Sequence, residues 1–113
     1  MKASYNTKKR GLLRFIVFQE KDKDYKAVCL DLNIIEYGKD PDKLIDSIVE
    51  AAHSLINGVI KNKLPDKVLN NPASLKYWKI AERSKYIVQK KPKINPIFLN
   101  TLAKPYTFKS LQN

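Results

Sequence analysis

Two segments in the first third of the chain are apolar at both alternating sets of positions. Residues 12–18 and 25–32 are rich in the aliphatic and aromatic residues that favour β-strands. Successive side chains of a strand point to opposite sides, so Val28 and Cys29 would face opposite ways although both are apolar. A sheet made from these strands has two faces to bury, so it needs a covering layer on each.

Turn and cap residues set the order of the first elements. The charged residues 20–24 separate the two strand candidates and predict a β-hairpin. A third short strand over residues 34–37 ends at Gly38. Asp40 and Pro41 then supply a helix N-cap and the proline that is favoured at the first helical position.

The helix predicted over residues 41–61 is amphipathic. Its apolar residues repeat at intervals of three and four, which is the spacing of one helical face. They are residues 44, 45, 48, 49, 52, 55, 56, 59 and 60, and the opposite face holds Asp46, Glu50, His53 and Asn57. One helix can bury only one face of the sheet. The second face is left to the carboxy-terminal segment, to a second copy of the protein or to a foreign partner.

The second half of the chain holds weaker structural signals. Asn71 and Pro72 predict the entry to a shorter helix over residues 73–83, which contains Trp78. Residues 86–88 could form a fourth strand, and three later prolines argue against a long helix beyond it.

The predicted fold class is therefore α+β: an antiparallel three- or four-stranded sheet with one long helix packed on one face. The short second helix is expected at an edge of the sheet or on its other face. Residues 1–84 would form this domain, and residues 85–113 a basic, proline-containing extension.

The positive charge is concentrated in the second half of the chain. Residues 1–60 hold ten Lys/Arg and nine Asp/Glu, whereas residues 61–113 hold twelve and two, within a net charge of +11. Such asymmetry favours an acidic partner: nucleic acid, an anionic membrane surface or an acidic protein. The alternative is a solvated basic tail without a partner.

In residues 75–108 aromatic side chains lie among lysines and arginines, a composition typical of surfaces that stack bases and contact phosphates. The aromatic residues are Tyr77, Trp78, Tyr86, Phe98, Tyr106 and Phe108. The alternative is that the aromatic residues anchor the extension to the domain. The candidate nucleic-acid contacts are Lys85, Tyr86, Lys90, Lys91, Lys93, Lys104 and Lys109.

The sequence offers little for catalysis, and we expect neither enzymatic activity nor a cofactor. The single histidine, His53, excludes a multi-histidine metal site. Cys29 lies in an apolar run and is expected to be a buried thiol. The acidic residues Glu20, Asp22, Asp24 and Asp31 lie near strand ends and could form a metal site with Glu50, but interleaved lysines favour a solvated turn.

We expect a cytoplasmic protein that neither enters nor binds a membrane. One cysteine cannot form an intrachain disulfide, which fits a reducing compartment. No stretch approaches the roughly 18 apolar residues that span a bilayer, and the amino terminus lacks a continuous apolar signal segment.

The order strand, strand, strand, helix resembles the HicB antitoxin family. The resemblance covers about residues 12–61 and is carried by residues 25–32 (YKAVCLDL), 38–45 (GKDPDKLI) and 48–52 (IVEAA). It implies a truncated ribonuclease-H-like fold without nuclease activity, which binds and blocks the small mRNA-cleaving HicA toxin. The implied partner is a HicA-like toxin, and formation of a homodimer is also open. The alternative function is nucleic-acid binding by the basic, aromatic-containing carboxy-terminal half.

Overall fold

The computed structural model describes residues 6–19, 23–89 and 99–108. Four strands form one antiparallel sheet in the order β3-β2-β1-β4. The elements are β1 (Arg10–Gln19), β2 (Tyr25–Cys29), β3 (Ile34–Gly38), α1 (Pro41–Lys61), a 3₁₀ turn (Asp66–Leu69), α2 (Leu75–Gln89) and β4 (Leu99–Thr107). The α+β class, the antiparallel sheet and the strand-strand-strand-helix order are confirmed.

Helix α1 has the predicted bounds and covers one face of the sheet. The Asp40 carboxylate accepts hydrogen bonds from the backbone N–H groups of Asp42 and Lys43, at 3.0 and 3.3 Å, and so caps the helix. The apolar stripe lies against the sheet, and its buried residues are Leu44, Ile48, Ala52, Ile56 and Val59. Asp46 and Glu50 lie on the exposed side, as the spacing predicts.

Helix α2 covers the second face of the sheet. Residues of this helix and of the segment before it pack against side chains that point away from α1. The buried members of this cluster are Ile16, Phe18, Val28 and Leu30 from the sheet side and Ala73, Tyr77, Trp78 and Ala81 from the helix side. The sequence left three candidates for covering the second face: the carboxy-terminal segment, a second copy and a foreign partner. In the structure the later part of the same chain covers it. The prediction that Trp78 lies at an edge or on the other face is confirmed, and the other face is where it lies.

The position of the fourth strand differs from the prediction. Residues 86–88 lie within α2, and β4 is formed by Leu99–Thr107, nine residues that pair with β1. The β-branched residues at 87 and 88 favour strands only weakly, and the helix that starts at Leu75 continues through them. Pro105 is accommodated because β4 is an edge strand. The predicted domain boundary at residue 84 falls inside α2.

The segment before β1 is tied to the rest of the fold by polar side chains. Asn6 is fully buried, and its N–H donates to Asn70 Oδ1 at 2.7 Å while Asn70 Nδ2 donates to the Asn6 carbonyl at 2.8 Å. Asn6 Oδ1 accepts the N–H of Leu12 at 2.8 Å. The Tyr106 hydroxyl donates to the Thr7 carbonyl at 2.8 Å. These bonds link β1, β4 and the segment before α2.

Replacing Gly11 with alanine should destabilise the fold. A Cβ atom at Gly11 would clash with Asn6 Oδ1 and would lie 2.5 Å from the hydroxyl oxygen and 2.7 Å from the Cζ atom of the buried Tyr106. The ring must move, and overpacking of this kind costs about 1–3 kcal/mol of unfolding free energy. Gly58→Ala is the matched control, because beyond its chain neighbours and the nearby helix backbone no atom lies within 4 Å of its Cβ, and alanine favours the helix. Urea unfolding should give opposite signs for the two variants, and equal effects would contradict this packing.

Candidate functional site

Strand β3 is an edge of the sheet, and no described residue pairs with its outer side. Ile35 and Tyr37 are 38% and 66% exposed. They pair in register with Val28 and Lys26, so they lie on the same side of the sheet as α2 but beyond the part that the helix covers. An edge strand with exposed apolar side chains is a typical site for pairing with another chain. We call Ile34–Gly38 the β3 edge.

Two lysines and two tyrosines meet where β2, β3 and α2 come together. The Lys26 ammonium donates a 2.7 Å hydrogen bond to the Tyr77 hydroxyl and lies 4.9 Å from that ring centroid. It also lies 5.4 Å from the Tyr37 ring centroid, and the Lys76 ammonium lies 5.0 Å from the Tyr77 ring. The hydrogen bond to Tyr77 raises the pKa of Lys26 above its ordinary value. We call these four residues the lysine–tyrosine cluster; it holds positive charge beside exposed aromatic surface.

The outward faces of the two helices carry opposite charge. In each helix three like charges repeat at three- or four-residue intervals opposite the buried stripe, so they form a row along the exposed face. The row on α1 is Asp42, Asp46 and Glu50, and the row on α2 is Lys76, Lys79 and Arg83; all six residues are exposed. One exposed residue of opposite charge lies beside each row, Lys43 on α1 and Glu82 on α2. We call the row on α2 the basic row. Its members make no ion pair with any described residue.

Asp31, a candidate metal ligand in the sequence, is 3% exposed and ion-paired. Its Oδ1 atom lies 2.5 Å from Arg14 Nη2, and its Oδ2 atom accepts the Arg14 backbone N–H at 2.6 Å. The Arg14 guanidinium in turn lies 4.7 Å from the Trp78 ring centroid. Within residues 6–19, 23–89 and 99–108, no group of three or more His, Cys, Asp or Glu could hold a metal ion. Glu20 and Asp22 lie outside these residues.

Asp31→Ala should destabilise the protein by about 3 kcal/mol, because it leaves the Arg14 guanidinium without its partner next to the apolar second face. Asp31→Asn should cost less, since its amide oxygen can still accept the Arg14 N–H. Asp46→Ala, at an exposed carboxylate on α1, is the control and should change the stability by less than about 0.5 kcal/mol. Urea denaturation measures all three. If Asp31→Ala matched Asp46→Ala, the ion pair would have no structural role.

Cys29 is fully buried in the core between the sheet and α1. Burial raises the pKa of its thiol from 9.0 to about 12. The thiolate is the nucleophilic form, so a thiol with this pKa stays protonated and inert near neutral pH. The prediction of a buried thiol is confirmed.

Alkylation of Cys29 by iodoacetamide should therefore be slow in the folded protein. A rise of the thiol pKa from 9.0 to about 12 lowers the thiolate fraction roughly 1000-fold at neutral pH, because each unit is tenfold. The native rate should fall below the rate in urea by at least this factor, and the single cysteine makes mass spectrometry unambiguous. A native rate within about tenfold of the denatured rate would show that the thiol is accessible and activated.

Of the seven nucleic-acid contacts that the sequence suggested, Lys104 is the one whose side chain the structure describes. Lys104 is exposed on β4 and pairs in register with Leu13, which places it on the α1 side of the sheet. Lys85 and Tyr86 lie in α2, the helix that covers the other face of the sheet. Lys90, Lys91, Lys93 and Lys109 lie outside the described residues.

The positive surface that the structure does assemble lies earlier in the chain. Its members are the basic row and the lysine–tyrosine cluster. The list of candidate contacts predicted from the sequence includes none of them, although Tyr77 lies in the aromatic segment over residues 75–108. The basic row could have been found from its helical spacing opposite Trp78. The proximity of Lys26 to Tyr37 could not, because it depends on the register between β2 and β3.

Comparison with known proteins gives no match: no family model, no curated protein and no solved structure is similar to this chain. The resemblance to HicB antitoxins stays a prediction. Among the described residues, neither helix has the length and apolar character needed to cross a membrane.

Proposed function

We propose that this protein is a non-catalytic binding module that recognises a protein partner along the β3 edge. The observation that carries the proposal is the free edge of β3 with Ile35 and Tyr37 exposed beside it. A strand from a partner can extend the sheet there, with backbone hydrogen bonds supplying affinity and the two side chains supplying specificity. The HicB resemblance suggests a small RNA-cleaving toxin of the HicA type as the partner.

The charge distribution supports a basic partner at this end of the sheet. Helix α1 lies over β2 and β3, and its outward row of Asp42, Asp46 and Glu50 is acidic. An RNA-binding toxin is expected to be positively charged and would be attracted to this side in spite of the net charge of +11.

Two chemical features support a role without catalysis. The only thiol is buried and protonated, and the buried carboxylate of Asp31 is held by Arg14. A module of this kind would act in the cytoplasm, where a free thiol persists.

Ile35→Lys should abolish partner binding, because a lysine on an edge strand opposes the addition of another strand. The test co-expresses this chain with a HicA-type toxin from the same genome and measures growth and co-purification. Wild type should restore growth and retain the toxin, whereas Ile35→Lys should do neither. Leu64→Lys is the matched control: Leu64 is 39% exposed against 38% for Ile35, and both changes add one charge.

The proposal fails if wild type gives no rescue, or if both lysine variants rescue equally. Sedimentation of the protein alone addresses self-association. A dimer that Ile35→Lys converts to a monomer would show that the β3 edge pairs with a second copy instead of with the toxin.

A further inference from the structure

We propose that the α2 side of the sheet binds single-stranded nucleic acid, with phosphates on the basic row and a base stacked on Tyr37. This surface is distinct from the predicted contacts in the carboxy-terminal extension. The inference does not depend on recognition of a protein partner.

The basic row places three exposed cations close together on one face of α2, where they could contact a polyanion. The helical positions of Lys76, Lys79 and Arg83 lie opposite to Tyr77 and Trp78, which pack on the sheet, although the Lys76 ammonium comes within 5.0 Å of the Tyr77 ring centroid. At 1.5 Å per residue the row extends over about 10 Å. Like charges three and four residues apart repel each other on an isolated helix. Phosphate groups would relieve this repulsion and release counterions, which is the main source of affinity in sequence-independent binding.

Tyr37 provides an aromatic platform next to this row. It is 66% exposed, the largest exposed fraction among the large hydrophobic residues that the structure describes. Lys26 bridges it to Tyr77, and Lys76 reaches the Tyr77 ring from the basic row. These contacts connect Tyr37 to Lys76, where the basic row begins. Cations beside an exposed ring are the combination that holds the backbone and the bases of a single strand.

The structure argues against a membrane as the occupant. A helix that lies on a membrane inserts its apolar face among the lipids. The apolar face of α2 is buried against the sheet, since Tyr77, Trp78 and Ala81 are each less than one-tenth exposed. An acidic protein would satisfy the basic row but would leave the exposed Tyr37 ring without a stacking partner.

The test measures fluorescence anisotropy of a labelled oligouridine of about twelve nucleotides with the full-length protein. The variant carries Lys76→Ala, Lys79→Ala and Arg83→Ala. The control carries Lys39→Ala, Lys43→Ala and Lys61→Ala, which removes the same charge from exposed positions on the α1 side. Three phosphate contacts contribute a salt slope of about 2, so between about 50 and 200 mM salt wild type should lose roughly twentyfold more affinity than the variant. The control should follow wild type.

A second pair of variants tests the stacking. Tyr37→Ala should weaken binding roughly 5- to 150-fold, the range for loss of one stacked base, whereas Tyr37→Phe should bind like wild type. Because Tyr37 is mostly exposed, both variants should unfold at similar urea concentrations. A duplex of the same length should bind more weakly than the single strand and should not respond to Tyr37→Ala.

Four outcomes would overturn the proposal. The first is no binding at about 50 mM salt. The second is equal affinity of the α2 variant and its control. The third is binding to anionic phospholipid vesicles but not to the oligonucleotide. The fourth is loss of binding in a Lys90→Ala, Lys91→Ala, Lys93→Ala variant while the α2 variant binds normally, which would move the site to the extension. Deleting residues 85–113 is unsuitable, because it also removes β4.

Discussion

The ion pair between Arg14 and Asp31 connects the sheet to helix α2, the layer that covers its second face. Where β2 ends at Cys29, the Asp31 carboxylate accepts the Arg14 N–H that the strand ladder no longer serves. The backbone carbonyls of Leu30 and Asp31 then accept the N–H groups of Ala73 and Asn71, at 2.8 and 3.2 Å, which fixes the entry to α2. The Arg14 guanidinium lies over Trp78. One partly buried charge pair thus joins the sheet to its second cover.

This construction leaves the reactive groups inside and the charge outside. Among the described residues, the Cys29 thiol and the Asp31 carboxylate are buried, and so are the rings of Phe15, Phe18, Tyr77, Trp78 and Tyr106. The helices present opposite rows of charge on opposite sides of the sheet. The acidic row on α1, which would attract a basic protein, and the basic row on α2, which would attract a polyanion, therefore lie on opposite sides of the sheet.

The closeness of the two proposed binding sites at β3 has a functional consequence. A partner strand on the β3 edge would lie beside Tyr37, the ring proposed to stack a base. Occupation of one surface would restrict access to the other, since both use the same exposed side of one five-residue strand. The two proposed binding sites are therefore expected to be occupied competitively, without a change in the fold.

The sequence by itself determined the long helix to its end residues, the hairpin and the need for two covers, because caps, spacing and strand alternation act between near neighbours. It placed Trp78 at an edge of the sheet or on its second face, and the structure selects the second face. It did not determine β4, which forms because residues 99–107 find the free side of β1. Only the tertiary structure brought Lys26 to Tyr37 and Arg14 to Asp31. Such contacts join residues that no local sequence pattern relates to each other. Strand register and side-chain packing, and not local preferences, determine which of these residues meet.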